Sequence, residues 1–219
     1  MIPYGTFTFF LIAFIVLIPV IILGFLGKRS YIYNGISTAI MIVIIFASDK
    51  HNLLGQKYLS AQLFCFIIYV IWQVALIMYY YQSRQKKNTF TKFVTIMVLS
   101  ILPLAIVKIL QSSWLGGHQI HFHESKLIEF VGFLGISYVT FKSVQLIMEI
   151  RDGSIKEIKV GKLIQFISFF PTISSGPIDR YKRFVKDDKK VPSGAEYREL
   201  VVKAIHMIML GLSLIHISE

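Results

Sequence analysis

The 219 residues are 55% apolar and 14% aromatic, and only 16% are charged, against roughly a quarter in a soluble domain. The formal net charge is nevertheless +11. On a soluble chain that excess would point to nucleic acid. Here the charges stand between long uncharged runs, so nucleic acid is not the expected partner, and orientation in a membrane, anionic lipid or an acidic protein is.

No charged side chain occurs from Met1 to Gly27, from Ser30 to Ser48, from Tyr58 to Ser83 or from Phe93 to Val107. A helix needs about 20 largely apolar residues to cross a bilayer. The first three runs meet that length, and the fourth does if Lys108 snorkels to an interface. The first ten residues carry neither Lys nor Arg, and the apolar stretch from Phe7 to Leu26 is longer than a signal-peptide core, so it is expected to be a retained transmembrane helix. A fifth, more polar helix is predicted from about Leu127 to Ile150. The apolar piece from Leu163 to Ile178 is interrupted by Pro171, Gly176 and Pro177, and a last helix is expected to begin near Tyr197. Cys65 is the only cysteine, so neither a disulfide framework nor a cysteine-based metal site can form within the chain.

Orientation follows from the loops. Those after the first, third and fifth helices and after the broken piece hold eighteen Lys or Arg, against three in the remaining two. The positive-inside rule then puts the N-terminus outside and the rich loops in the cytoplasm. Basic loops flank the Leu163–Ile178 piece on both sides, so it is expected to enter and leave from the same face, as a re-entrant element.

Two segments hold most of the candidate chemistry. Tyr138, Lys142, Gln145 and Glu149 are spaced by four, three and four residues, which puts them on one face of the fifth helix, with Ser137 and Thr140 beside them. Charge at membrane depth is costly, so this stripe either pairs within the bundle, with Glu149 at the interface, or lines a tunnel. From Phe169 to Tyr181, the prolines remove backbone donors and Gly176 permits unusual dihedrals. Irregular backbone at that depth must be buried in protein or line an aqueous cavity, and transporters also use broken helices. His118, His121 and His123 lie on a loop expected outside and suit solvated side chains better than a zinc site. His206 suits a packed, hydrogen-bonded role. There is no GxSxG, P-loop or GxGxxG pattern.

Gly135-Ile-Ser-Tyr-Val-Thr-Phe-Lys142, then Glu149-Ile-Arg-Asp-Gly153, then Phe170-Pro-Thr-Ile-Ser-Ser-Gly-Pro-Ile-Asp-Arg-Tyr181 carry a resemblance to a known family. With the opening Met1-Ile-Pro-Tyr and the Gly-Lys-Arg after the first helix, the chain resembles the membrane-bound O-acyltransferase (MBOAT) family over about residues 1–211, in its branch that D-alanylates teichoic acid. The resemblance implies an all-α, polytopic transmembrane helical bundle, with about six spanning helices and one re-entrant element, forming a truncated MBOAT fold. Residues 1–211 would be the N-terminal part of that domain. Residues 212–219 do not resemble its continuation and are expected to be a non-native tail.

The implied activity is O-acyl transfer. D-alanine would arrive on the phosphopantetheine arm of an acidic cytoplasmic carrier protein and cross the membrane through a tunnel toward teichoic acid, with a membrane-anchored partner protein and lipid as further partners. No bound cofactor or metal is implied. Tunnel or substrate-lining candidates are Ser137, Tyr138, Thr140, Lys142, Gln145, Thr172, Ser174, Ser175, Gly176 and Pro177. Carrier-docking candidates are Arg180, Lys182, Arg183 and Lys186. The family's general base is an intramembrane histidine; no residue of this chain matches it, so no catalytic residue is assigned and the chain alone is expected to be inactive. Polysaccharide O-acetylation within the same family, and a transporter or channel, are the alternatives.

Overall fold

A computed structural model describes residues 7–28, 31–47, 59–86, 89–111, 135–155, 157–173 and 179–217, and all regular structure among them is helical. In chain order the helices are α1 (Phe7–Phe25), α2 (Tyr31–Ala47), α3 (Leu59–Lys86), α4 (Phe90–Gln111), α5 (Ile136–Arg151), α6 (Val160–Ser168), α7 (Tyr181–Lys189) and α8 (Gly194–Ile217), with a 3-10 turn at Phe170–Thr172 between α6 and α7. Two stretches, Gln62–Gln85 and Phe90–Ile109, are long and apolar enough to cross a membrane, while Leu11–Phe25 and Tyr31–Phe46 are shorter apolar helices. The 24 residues of the first rise about 36 Å, more than the roughly 30 Å of a hydrocarbon core.

The chain divides into two compact units, one drawn from residues 38–186 and the other from residues 4–37 with 187–219. In the first, α3, α4 and α5 pack against one another, and α6 lies on α3 and α5. Ile77, Val139, Ile147, Ile150, Leu163 and Ile167 are fully buried between them. Many other apolar side chains of α3 and α4 are exposed, among them Phe64, Ile71, Val98 and Ile109. Such a surface suits lipid, where helices associate through close packing and hydrogen bonds rather than through expulsion of water.

The fifth helix does not run unbroken from Leu127. It begins at Ile136, because Gly135 stands at φ 93°, outside the helical region. Glycine is needed there twice over: that φ strains any L side chain, and a Cβ would lie 2.5 Å from the carbonyl oxygen of Ile173.

The basic stretch after the broken piece, expected to be a loop, contains α7. Its inner face explains the helix. Tyr181 is buried, with its ring edge-on to Phe166 at 5.5 Å, and Phe184 contacts both Phe166 and Phe169 at the same distance.

In the second unit α1 packs against α8. Gly24 leaves the space occupied by the ring of Tyr197, where a Cβ would collide with three of its carbons. Phe25 meets the same ring edge-on at 5.1 Å. The last helix starts at Gly194, three residues before the expected Tyr197, because Ser193 and Glu196 form a reciprocal cap. The Ser193 N–H donates to Glu196 Oε2 at 3.0 Å, and the Glu196 N–H donates to Ser193 Oγ at 3.3 Å.

Candidate functional site

The polar face of α5 and the break after α6 meet at one side chain. Lys142 is only 1% exposed, and its ammonium donates to the carbonyl of Phe166 at 3.2 Å, the carbonyl of Ile167 at 3.4 Å and Thr172 Oγ1 at 2.7 Å. An ammonium has three hydrogens, and all three are used. The two carbonyls belong to the last turn of α6, where helical acceptors lose their partners. Had the helix continued, Ile167 would accept from the nitrogen of residue 171, which is proline and has no hydrogen. Lys142 supplies that missing donor.

The cation also sits where a helix C-terminus carries partial negative charge, and 5.6 Å from the centre of the Phe166 ring. Thr172 extends the chain of bonds, donating to the carbonyl of Phe169 at 3.3 Å. A buried lysine is thus held by backbone oxygen and a hydroxyl, with no carboxylate in hydrogen-bond contact among the described residues.

Thr140, on the neighbouring face of α5, joins a second network. Its hydroxyl donates to the Ile136 carbonyl at 2.7 Å, so the 2.6 Å contact with Tyr69 has Tyr69 as donor. Tyr69 in turn accepts from Gln73 Nε2 at 2.8 Å; Gln73 also donates to the Ser100 carbonyl at 3.0 Å and accepts from Ser100 Oγ at 2.7 Å. The chain runs in one direction across α4, α3 and α5, with both polar atoms of the Gln73 amide engaged. Fully satisfied buried networks fix the register of the elements they join. Tyr69, Gln73 and Ser100 were not among the candidates. The available signal was an amide four residues after a tyrosine inside an otherwise apolar run.

Among the other candidates, Ser137, Tyr138, Gln145 and Glu149 are half-buried on α5. Ser174, Ser175, Gly176 and Pro177 lie outside the described residues, as do His118, His121 and His123. His206 is exposed on α8 rather than packed. Arg180, Lys182, Arg183 and Lys186 are all exposed, the first just before α7 and the others on its outer side. Arg183 pairs with Asp179 at 3.1 Å, one turn back. Burial pushes the Tyr181 phenol upward, partly offset by a hydrogen bond with the Lys159 backbone, which ties the start of α7 to the approach to α6. An apolar groove of about 580 Å³, lined by Ile42, Phe66, Val70 and Ile164, holds none of the candidates.

No protein-family model matches the chain. Three curated relatives, each named teichoic acid D-alanyltransferase, do. The protein from Bacillus subtilis (strain 168) is 45% identical over 212 residues, 96% of this chain and 50% of its own. That from Lacticaseibacillus rhamnosus is 42% identical, over 95% of this chain and 47% of its own length. That from Streptococcus thermophilus (strain ATCC BAA-250 / LMG 18311) is 32% identical, over 95% and 46%. The chain spans about half the length of these relatives. Over that half its sequence is similar to the teichoic acid D-alanyltransferases throughout.

Proposed function

We propose that the chain forms part of a membrane-embedded O-acyltransferase that takes D-alanine from a phosphopantetheinyl carrier protein in the cytoplasm and moves it across the membrane toward teichoic acid. The observation that carries this reading is the 45% identity to a teichoic acid D-alanyltransferase over 96% of the chain. The geometry supports it. A helix broken at membrane depth must have its free carbonyls satisfied by protein, and Lys142 satisfies two of them. A nine-residue α6 rises only about 13 Å, which suits a re-entrant element better than a span.

In this reading the helices α1 to α5 and α8 cross the membrane, with the N-terminus outside. The polar face of α5 and the residues around Thr172 line the donor path, and the basic outer side of α7 receives the acidic carrier. The general base is a histidine beyond residue 211, as the MBOAT resemblance implies, so these 219 residues alone transfer nothing.

The test is complementation. In a strain lacking its D-alanyltransferase, the full-length protein restores D-alanyl ester on teichoic acid, whereas residues 1–211 with the carrier do not. Absence of ester with the full-length protein would overturn the assignment. Ester from residues 1–211 would overturn the placement of the base.

A further inference from the structure

Glu149 is the only acidic residue within α1 to α6. It sits two residues before the end of α5, and neither carboxylate oxygen reaches solvent or has a hydrogen-bond partner among the described residues. A carboxylate whose oxygens are screened from solvent and so poorly hydrogen-bonded is expensive, and folds rarely retain one without use. Its surroundings compensate it only from a distance. Arg180 and Lys182 are close enough to attract it, and both are exposed; Asp179 repels it, and that residue is engaged by Arg183. Gln145, one turn earlier on the same face, lies beside it and lends at most a weak interaction. Lys142 is no competitor, since its three hydrogens are spent on Phe166, Ile167 and Thr172.

What this carboxylate lacks is a small cation with several N–H donors. D-alanine held through its carboxyl group as a thioester presents one such group, its α-ammonium, with three donors. We propose that Glu149 binds the α-ammonium of the D-alanyl group and thereby selects an aminoacyl donor over a neutral acyl group of the same size. The inference rests on the D-alanyl transfer reading above and adds the residue that recognises the donor. Arg180 and Lys182, exposed counter-charges, release the carboxylate when the ammonium takes their place. A neutral acyl group offers nothing in exchange for those counter-charges, and covering the carboxylate with an uncharged group is the basis of rejection.

The test uses the full-length protein and two soluble probes, the N-acetylcysteamine thioesters of D-alanine and of D-lactate, which differ in ammonium against hydroxyl. Binding is measured by calorimetry, and transfer from carrier loaded with either acyl group is measured alongside. Wild type is expected to bind the D-alanyl probe at least about tenfold more tightly than the lactyl probe, the discrimination a charged hydrogen bond supports. Glu149→Gln should abolish that preference while leaving lactyl binding intact, and Glu149→Asp should keep part of it. A preference that survives in Glu149→Gln overturns the site, and so does equal loss of both probes, which marks a structural role. If wild type shows the Glu149-dependent preference in binding yet transfers no D-alanine, the ammonium site stands and the acyltransferase reading falls. If transfer persists with the same donor preference in Glu149→Gln, the site falls and the acyltransferase reading stands.

Discussion

The ammonium of Lys142 and the hydroxyl of Thr172 are hydrogen-bonded at 2.7 Å across thirty residues of chain. One end is in the middle of a helix; the other is the last residue of the 3-10 turn at which the next helix has broken. The bond therefore holds the broken backbone in place relative to α5.

Removing the ammonium is expected to free that turn. Lys142→Met keeps most of the side-chain volume but leaves the Phe166 and Ile167 carbonyls and Thr172 Oγ1 without their donor, costing on the order of 3 kcal/mol. Thermal unfolding in detergent and limited proteolysis around residues 169–173 measure it. Lys142→Arg should recover only part, because a planar guanidinium cannot aim three donors at the same three acceptors. Equal stability of wild type and Lys142→Met would show that the latch contributes nothing.

For the network through Gln73, substitution by Leu removes hydrogen bonds to Tyr69 and to both the carbonyl and the hydroxyl of Ser100. Hydrogen bonds between membrane helices average about 0.6 kcal/mol and reach about 1.7, so Gln73→Leu is expected to cost roughly 1–2 kcal/mol. Ser100→Ala should cost less, and the double variant less than the sum, since both remove the same bond. Strict additivity in unfolding measurements would mean that the two side chains act independently.

At Gly24 the expectation is a steric one. Gly24→Leu places carbon where the Tyr197 ring lies, so α1 and α8 must separate or shift. Tyr197→Ala should relieve it. The readout is cross-linking between cysteines on the two helices, abolished in Gly24→Leu and restored in the double variant.

Reversing the charges of Arg180, Lys182 and Lys186 in the full-length protein should slow association with the acidic carrier, most of all at low ionic strength. Complementary charge acts chiefly on the on-rate and is screened by salt. Stopped-flow association at two salt concentrations checks this. An unchanged on-rate would leave attachment to anionic lipid as the role of α7.

Sidedness can be measured after removing Cys65. Cysteines at positions 86, 160 and 186 should all resist an impermeant reagent in intact cells, because the positive-inside rule assigns the basic loops around them to the cytoplasm. Labelling at 86 reverses the orientation; opposite results at 160 and 186 would make the broken piece a span.

Helices α1 to α4 were legible because each follows a long, uncharged, apolar run, in which a helix satisfies its own backbone hydrogen bonds. Their ends were less so: Arg84 continues α3 and Lys92 lies inside α4, since a charged residue at an interface need not end a helix. The stripe on α5 announced a polar face, and Lys142 and Thr172 were both singled out by it and by the break. Their union was not legible, because two of the three acceptors are backbone carbonyls, which no side-chain pattern records. The helix α7 was hidden for a related reason. Its apolar face is little more than Tyr181 and Phe184, and these count as a face only once Phe166 and Phe169 are opposite them. In contrast, the Ser-x-x-Glu start of α8 is written in the sequence, and a count of apolar residues passes over it.

Gly24 and Tyr197 also set an order of events. A membrane chain is inserted as it is made, and α1 leaves the ribosome long before its partner exists. At about 5–20 residues per second, the 172 residues between them take roughly ten to thirty seconds to synthesise. Throughout that interval the notch at Gly24 lacks the ring that fills it, and α1 can be claimed by a wrong neighbour. A helix made early is thus secured late, and anything that stalls translation before residue 194 leaves α1 without the ring it packs against.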